Sequence, residues 1–300
     1  MKGNAPHTPV SVVIPCYCCS ETIERAVSSV INQTQMPVEI WLVDDASPDD
    51  GRTLNKLYEL KMRYADTVQI EVIALPINGG PSVARNTGWD AATQPYITFL
   101  DADDAWHTQK LEIQYEWMKE HPEIALTGHK CLWLKEDSFP QSSEPLPKVE
   151  EFQVRRITKL SLLFSNRFST PSVMLKNELP FRFEPQKRYS EDYLLWLQIA
   201  LSGYQGVFLD LPLAYLYKAP YGEEGLSSNL WNMEKGELDT YHRVHKEGYI
   251  NLFAWLFLVL FSLAKFCRRV FKVYLKKITR MLTKRNGIVW AFLFYYSVCL

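Results

Sequence analysis

Two aspartates one residue apart, Asp101 and Asp103, follow a short apolar run and lead into Asp104-Ala105-Trp106. At a strand end such carboxylates can lie on one side of the chain. One can then reach a ribose hydroxyl while the other takes a divalent cation bridging two phosphates. Mg²⁺ and Mn²⁺ suit that task, because phosphates and waters can complete a shell to which the protein gives few oxygens. The ion would neutralise charge on a departing diphosphate. Taken alone, Asp-x-Asp is also a common solvated turn. A second pair, Asp44-Asp45, closes another apolar run. Asp44 there could accept a hydrogen bond from a nucleobase imide, and Ser47-Pro48-Asp49 also reads as a capped turn into a helix with Ser47 as the cap. Tyr17 could stack on a base or sit half-buried at a sheet rim. Asn78-Gly79-Gly80 permits positive φ and close backbone approach. Arg85, just beyond it, could face a nucleotide or be a solvated helix-face cation.

The elements that must position these residues follow from hydrophobic spacing. Val10–Ile14, Val38–Val43, Val68–Ala74 and Tyr96–Leu100 read as short buried strands. Between the first two, Ile23, Ala26, Val27, Val30 and Ile31 recur at helical spacing. Further helical patterns cover about Asp50–Tyr64 and Ser82–Ala92. This βαβαβαβ order predicts an α/β fold with a largely parallel sheet and helices on both faces. Such sheets bind ligands beyond the carboxyl ends of their strands. Those ends carry Pro15-Cys16-Tyr17 with Glu21, then Asp44-Asp45, Asn78-Gly79-Gly80 and Asp101-Ala102-Asp103. Later, Phe168–Leu175 reads as a strand and Glu191–Ser202 as an amphipathic helix opened by Asp192, while Lys135–Lys148 and Pro220–Leu230 read as loops. Asp192 on this reading complements the helix N-terminus. No internal repeat is visible.

These residues resemble the ordered motifs of family 2 glycosyltransferases with the GT-A fold. The likeness runs from Ser11–Pro15 through Val43–Asp49, Asn78–Gly88 and Phe99–Trp106 to Ser190–Trp196, covering roughly Val10–Tyr217. Many members have Asn near the positions of Cys18 and Cys19, where this chain has thiols. The resemblance implies inverting transfer from a nucleoside diphosphate sugar, with uridine the favoured nucleoside. It would place Pro15, Tyr17, Glu21, Asp44 and Arg85 around the nucleoside, Asp101 and Ala102 at the ribose, and Asp103 on Mn²⁺ or Mg²⁺. Asp192 would be the general base that takes the acceptor hydroxyl's proton. Two other classes compete: a sugar nucleotidyltransferase, and a non-catalytic membrane scaffold with the same fold. The first usually opens with a Gly-rich phosphate loop where this chain has Pro15-Cys16-Tyr17-Cys18-Cys19, and the second would have lost the acidic positions that survive here.

Charge supplies the remaining expectation. The 300 residues balance 33 Lys and Arg against 34 Asp and Glu, but residues 250–300 hold nine of the bases and none of the acids. These bases sit beside Phe-, Leu- and Trp-rich runs, Ile250–Ala264 and Ile288–Leu300, which points to an anionic membrane surface and away from nucleic acid. Each run is shorter than the roughly 20 residues that comfortably cross a bilayer. A full crossing at Ile250–Ala264 would also put the basic spacer Lys265–Arg285 on the wrong side for the usual Lys/Arg bias. The expectation is an interfacial or re-entrant segment on the cytoplasmic face of the inner (plasma) membrane, peripheral or monotopic. The domain division expected is a catalytic unit over 1–230, its nucleotide half 8–106 and acceptor half 107–230, with a helical membrane-associating tail over 231–300. Partners would be a nucleotide-sugar donor, a glycan or lipid-linked acceptor and lipid. Residues 1–15 contain no apolar run of signal-peptide length, and the six cysteines lack zinc spacing and read as reduced thiols.

Overall fold

The computed structural model describes residues 7–134, 152–217 and 229–285, with side chains described as far as residue 275. The expected loop at Lys135–Lys148 and the apolar run Ile288–Leu300 lie outside the described residues, as does most of Pro220–Leu230.

Strand β1 (His7–Cys16) carries Val10, Val12, Val13 and Ile14 with no exposed surface, so both of its faces are covered. That is the pattern of a central parallel strand. It pairs in parallel with β2 (Met36–Asp44) and β4 (Tyr96–Phe99), and β2 pairs in parallel with β3 (Gln69–Ala74). The crossovers are α1 (Ile23–Ile31), α2 (Arg52–Arg63) and α3 (Pro81–Ala91). Helix α1 buries Ile23, Ala26, Val27 and Val30, the apolar stripe expected of it. Helix α3 lies close against β1: a Cβ on Gly88 would stand 2.5 Å from a Val13 methyl.

Beyond β4 the sheet turns mixed. Its order is β3-β2-β1-β4-β8-β6-β9-β5, with β7 beside β9. Here β5 is Ala105–Trp106, β6 Ile124–Trp133, β7 Val154–Ile157, β8 Met174–Lys176 and β9 Gln205–Leu216. Strand β8 is antiparallel to both β4 and β6, whereas β6 and β9 run parallel. Helices α4 (Lys110–Glu120), α5 (Lys159–Phe164) and α6 (Glu191–Leu201) complete the layers. Of the strand expected over Phe168–Leu175, only Met174 and Leu175 lie in a strand, behind a 3-10 turn at Thr170–Ser172. Pro171, which has no N–H for a sheet ladder, delays β8 to Met174. Ser47 is not the cap of α2: Asp49 accepts the Thr53 amide at 2.9 Å, while the Ser47 hydroxyl turns back to Asp44.

Two of the interactions that join the halves of the sheet bear on the site. Trp89, Phe99, Phe183 and Trp196 form a chain of ring contacts with centroids 5.1 to 6.1 Å apart, linking α3 and β4 to α6. Edge and tilted contacts of this kind suit the aromatic quadrupole. The other is the buried Arg85 described below.

Helices α7 (Leu230–Lys246) and α8 (Leu252–Arg285) follow. The apolar run from Ile250 and the basic stretch after it are thus not separate segments but one helix, continuous from Leu252. That helix is docked on α7. Fully buried Glu234 accepts from Ser262 at 2.8 Å and from Arg269 at 2.9 Å, and Glu237 pairs with Lys265 and Arg269. Phe164 of α5 packs on Phe257 and Phe261. The opposite face is apolar and bare: Phe253 is 81% exposed, Leu260 67%, Phe271 62% and Tyr274 63%. Among the described residues, no helix is long and apolar enough to cross a membrane.

Candidate active site

The carboxyl ends of β1, β2 and β4 open onto a cleft of about 1480 Å³. Pro15 and Tyr17 reach it from the end of β1, and Asp101, Ala102 and Asp103 from the end of β4. Arg85 projects into it from α3, and Asp192 from the first turn of α6. Seven of the nine residues singled out from the sequence therefore share one cavity. Asp44 and Glu21 are not among its lining residues. Asp44 is buried, and its carboxylate accepts the Ser47 hydroxyl at 2.6 Å; Glu21 is exposed in the turn ahead of α1.

The loop after β3 is shaped from below. Asp45 accepts the backbone amides of Gly79 at 2.7 Å and Gly80 at 2.8 Å, and the Asn78 side chain at 3.0 Å. Gly80 adopts φ +83, a region open to glycine, and Pro81 then starts α3 with its fixed φ. Non-glycine residues pay strain for such a conformation, yet Cys18 (φ +47) and Ser190 (φ +56) both adopt it, and both line the cleft. Strained backbone of this kind concentrates at ligand sites.

Arg85 organises the floor. Its guanidinium is 6% exposed and donates to Asp101 at 2.8 Å and to Glu191 at 3.0 Å. Burial works against its charge, but the two carboxylates outweigh burial and hold its pKa above the ordinary value. One side chain thus ties the Asp-x-Asp turn after β4 to the start of α6, where Glu191 lies 106 residues beyond Arg85 in the chain.

Asp192 is half-buried beside Glu191. Its carboxylate accepts the Asn166 amide group at 3.1 Å and the Tyr193 backbone amide at 2.7 Å. Burial, and then the Glu191 charge, push its pKa up to about 7 despite these donors. A carboxylate with that proton affinity can remove a proton near neutral pH and hold it, which an ordinary aspartate does poorly. Neither Asn166 nor Glu191 stood out from the sequence as a site residue; Glu191 was visible only as part of the acidic run before α6.

The donor set also bears on a divalent ion. Among the described residues, no group of three or more His, Cys, Asp or Glu side chains could hold a metal unaided. Asp101 and Asp103 still line the cleft together, and carboxylates are the hard oxygen donors that Mg²⁺ and Mn²⁺ take when phosphate oxygens and waters supply the other ligands. The residues fit such an ion. The thiols nearby do not form a competing soft site: Cys16 is buried, and burial followed by Cys19 raises its pKa well above the usual thiol value.

Comparison with known proteins bears on this arrangement directly. The profile described as "Glycosyl transferase family 2" matches residues 11–170. A Bacillus subtilis (strain 168) glycosyltransferase named for teichuronic acid biosynthesis, TuaG, is 29% identical over 250 residues, covering 83% of this chain and 92% of its own. The Escherichia coli UDP-Glc:alpha-D-GlcNAc-diphosphoundecaprenol beta-1,3-glucosyltransferase WfgD is 30% identical over 190 residues, 63% of this chain and 69% of its own. Among solved structures, S. aureus TarS 1-349 in complex with UDP-GlcNAc superposes with a TM-score of 0.59 at 21% identity, covering 78% of this chain and 66% of that one. The mannosyltransferase PcManGT from Pyrobaculum calidifontis, in complex with GDP-Man and Mn²⁺, gives 0.58 at 17% identity, covering 92% and 81%. These likenesses show the GT-A fold, and with the matched profile and the carboxylates gathered at the strand ends they make the chain an enzyme of glycosyl transferase family 2.

Proposed function

We propose that the protein transfers a sugar, with inversion, from a nucleoside diphosphate sugar to a membrane-proximal acceptor in cell-surface glycan assembly. The observation that carries this is Arg85, which brings the Asp101–Asp103 turn and the Glu191-Asp192 helix start into one cleft. The donor's nucleoside would lie against Pro15 and Tyr17, with Glu21 and Asp44 behind, and its ribose at Asp101 and Ala102. UDP is the favoured carrier, since TarS holds UDP-GlcNAc and WfgD is named for UDP-Glc. Asp103 would hold Mn²⁺ or Mg²⁺, which supplies positive charge to the departing diphosphate.

The reaction needs one further group. As the acceptor oxygen attacks the anomeric carbon, its proton passes to the Asp192 carboxylate, the C–O bond to the diphosphate breaks, and that electron pair leaves on the phosphate oxygen. Asn166 holds the base in place. Residues 8–106 would serve the donor and 107–230 the acceptor, with 231–300 holding the enzyme to the cytoplasmic face of the membrane. A panel of nucleotide sugars assayed for metal-dependent hydrolysis tests the reading. Release of UDP from at least one UDP-sugar is expected, and a chain that binds and cleaves none of them would refute it.

A further inference from the structure

We infer that the cationic edge of α8 is the subsite for the phosphate or diphosphate that joins an acceptor to its lipid. This rests on the glycosyltransferase reading of the cleft. Among the basic side chains that line the cleft, four without an ion pair to the described residues come from elements around Asp192 rather than from the strand ends of the nucleotide half. Arg167 follows Asn166, the residue that donates to Asp192. Arg188 lies beside Lys187 and Tyr189, which pack on Gly236 of α7. Arg268 and Lys272 come from α8.

Helix α8 sorts its cations into two rows. Lys265 and Arg269, spaced i,i+4, are paired with Glu237 and Glu234 and hold the helix in place. Arg268 and Lys272, also i,i+4 and therefore on one face, are exposed. Neither they nor Arg167 and Arg188 have a hydrogen-bond or ion-pair partner among the described residues. The cleft is thus acidic where Asp101, Asp103, Glu191 and Asp192 gather, and basic along its α8 wall. An anionic group free of metal is repelled by the first region and attracted by the second.

The same helix decides what carries that anion. Phe253, Leu256, Phe257, Leu260, Phe271 and Tyr274 recur at helical spacing and are exposed along α8, next to the basic row. A ligand that uses both features has an anionic head in the cleft and an apolar tail beside the helix. A soluble polyanion has no tail to place there.

Farnesyl diphosphate, titrated into the full chain saturated with UDP and Mn²⁺, is the test, with farnesol as the uncharged control. Farnesyl diphosphate should bind without displacing UDP, and farnesol should bind much more weakly. Arg268→Ala with Lys272→Ala should weaken the diphosphate by about tenfold or more, the loss expected for charged hydrogen bonds. Arg268→Lys with Lys272→Arg should retain it, and UDP affinity should hold in both variants. Displacement of UDP would assign these cations to the donor and overturn the inference, as would equal affinity in the alanine variant. So would a variant whose defect appears only with phosphatidylglycerol vesicles, since bulk headgroups would then be the ligand. A wild-type chain that binds farnesyl diphosphate but no UDP would remove the glycosyltransferase reading, and the inference with it.

Discussion

The side chain with the most to lose from a change of pH is Asp192. Its proton affinity is raised by burial and by Glu191 to about 7, so below that value it is protonated and unable to act in its proposed role as the base. Transfer should rise with pH through about 7, and that limb should vanish in Asp192→Asn, whose rate should fall by about 10² to 10⁴, the usual range for a general base. UDP affinity should change little in a calorimetric titration. Stability should move the other way. A folded pKa above the unfolded one means that the stabilisation relative to a freely titrating aspartate is complete below about 4 and is lost as pH rises through about 7. Asn cannot ionise, so the variant should be more stable than wild type at pH 8, by about 1–2 kcal/mol after allowing for partial solvent contact, with the gap closing near pH 4. Arg85 presents the reverse case. Arg85→Leu would leave Glu191 half-buried and unpaired and Asp101 without its partner, at a cost of about 2–4 kcal/mol in chemical denaturation.

At the level of elements, α3 sets where Arg85 stands, and Gly88 sets how closely α3 meets β1. Gly88→Ala would drive a methyl group to within 2.5 Å of Val13. The helix gains from alanine at such a site, but overpacking should outweigh that gain, for a net loss of about 1–2 kcal/mol and weaker UDP binding. The parallel half of the sheet was legible in the sequence because each strand is a compact apolar run and each crossover shows its stripe locally. The cleft residues at the strand ends were legible for the same reason. Three things were not. The antiparallel insertion of β8 depends on which strands neighbour it in space, and Pro171 shortened an apolar run that reads as a longer strand. The Arg85–Glu191 bridge joins positions far apart in the chain, each plausible alone as a solvated charge. The docking of α8 was hidden as well, although Glu234 and Glu237 on one helix and Lys265 and Arg269 on the next do carry matched helical spacing.

On the scale of the whole molecule, α8 is both a wall of the cleft and the bearer of a bare apolar face. Phe253→Asp with Leu260→Asp should reduce sedimentation with phosphatidylglycerol vesicles by about tenfold or more, since each change removes apolar area and adds a charge of the membrane's own sign. UDP binding by the same variant should be unaffected, because neither residue lines the cleft. Binding of wild type to those vesicles should weaken as salt rises from 50 to 500 mM, about as expected for an electrostatic share screened over a shrinking Debye length. If α8 rests on lipid as proposed, while walling the cleft, it also changes how the enzyme meets its substrate. Encounters become a search within a plane, governed by molecules per unit area and not by molecules per litre. Diluting a lipid-borne acceptor with inert phospholipid, at fixed bulk amounts of both, should then slow turnover in proportion to its surface fraction, whereas adding more vesicles of the same makeup should not accelerate it once all the enzyme is bound.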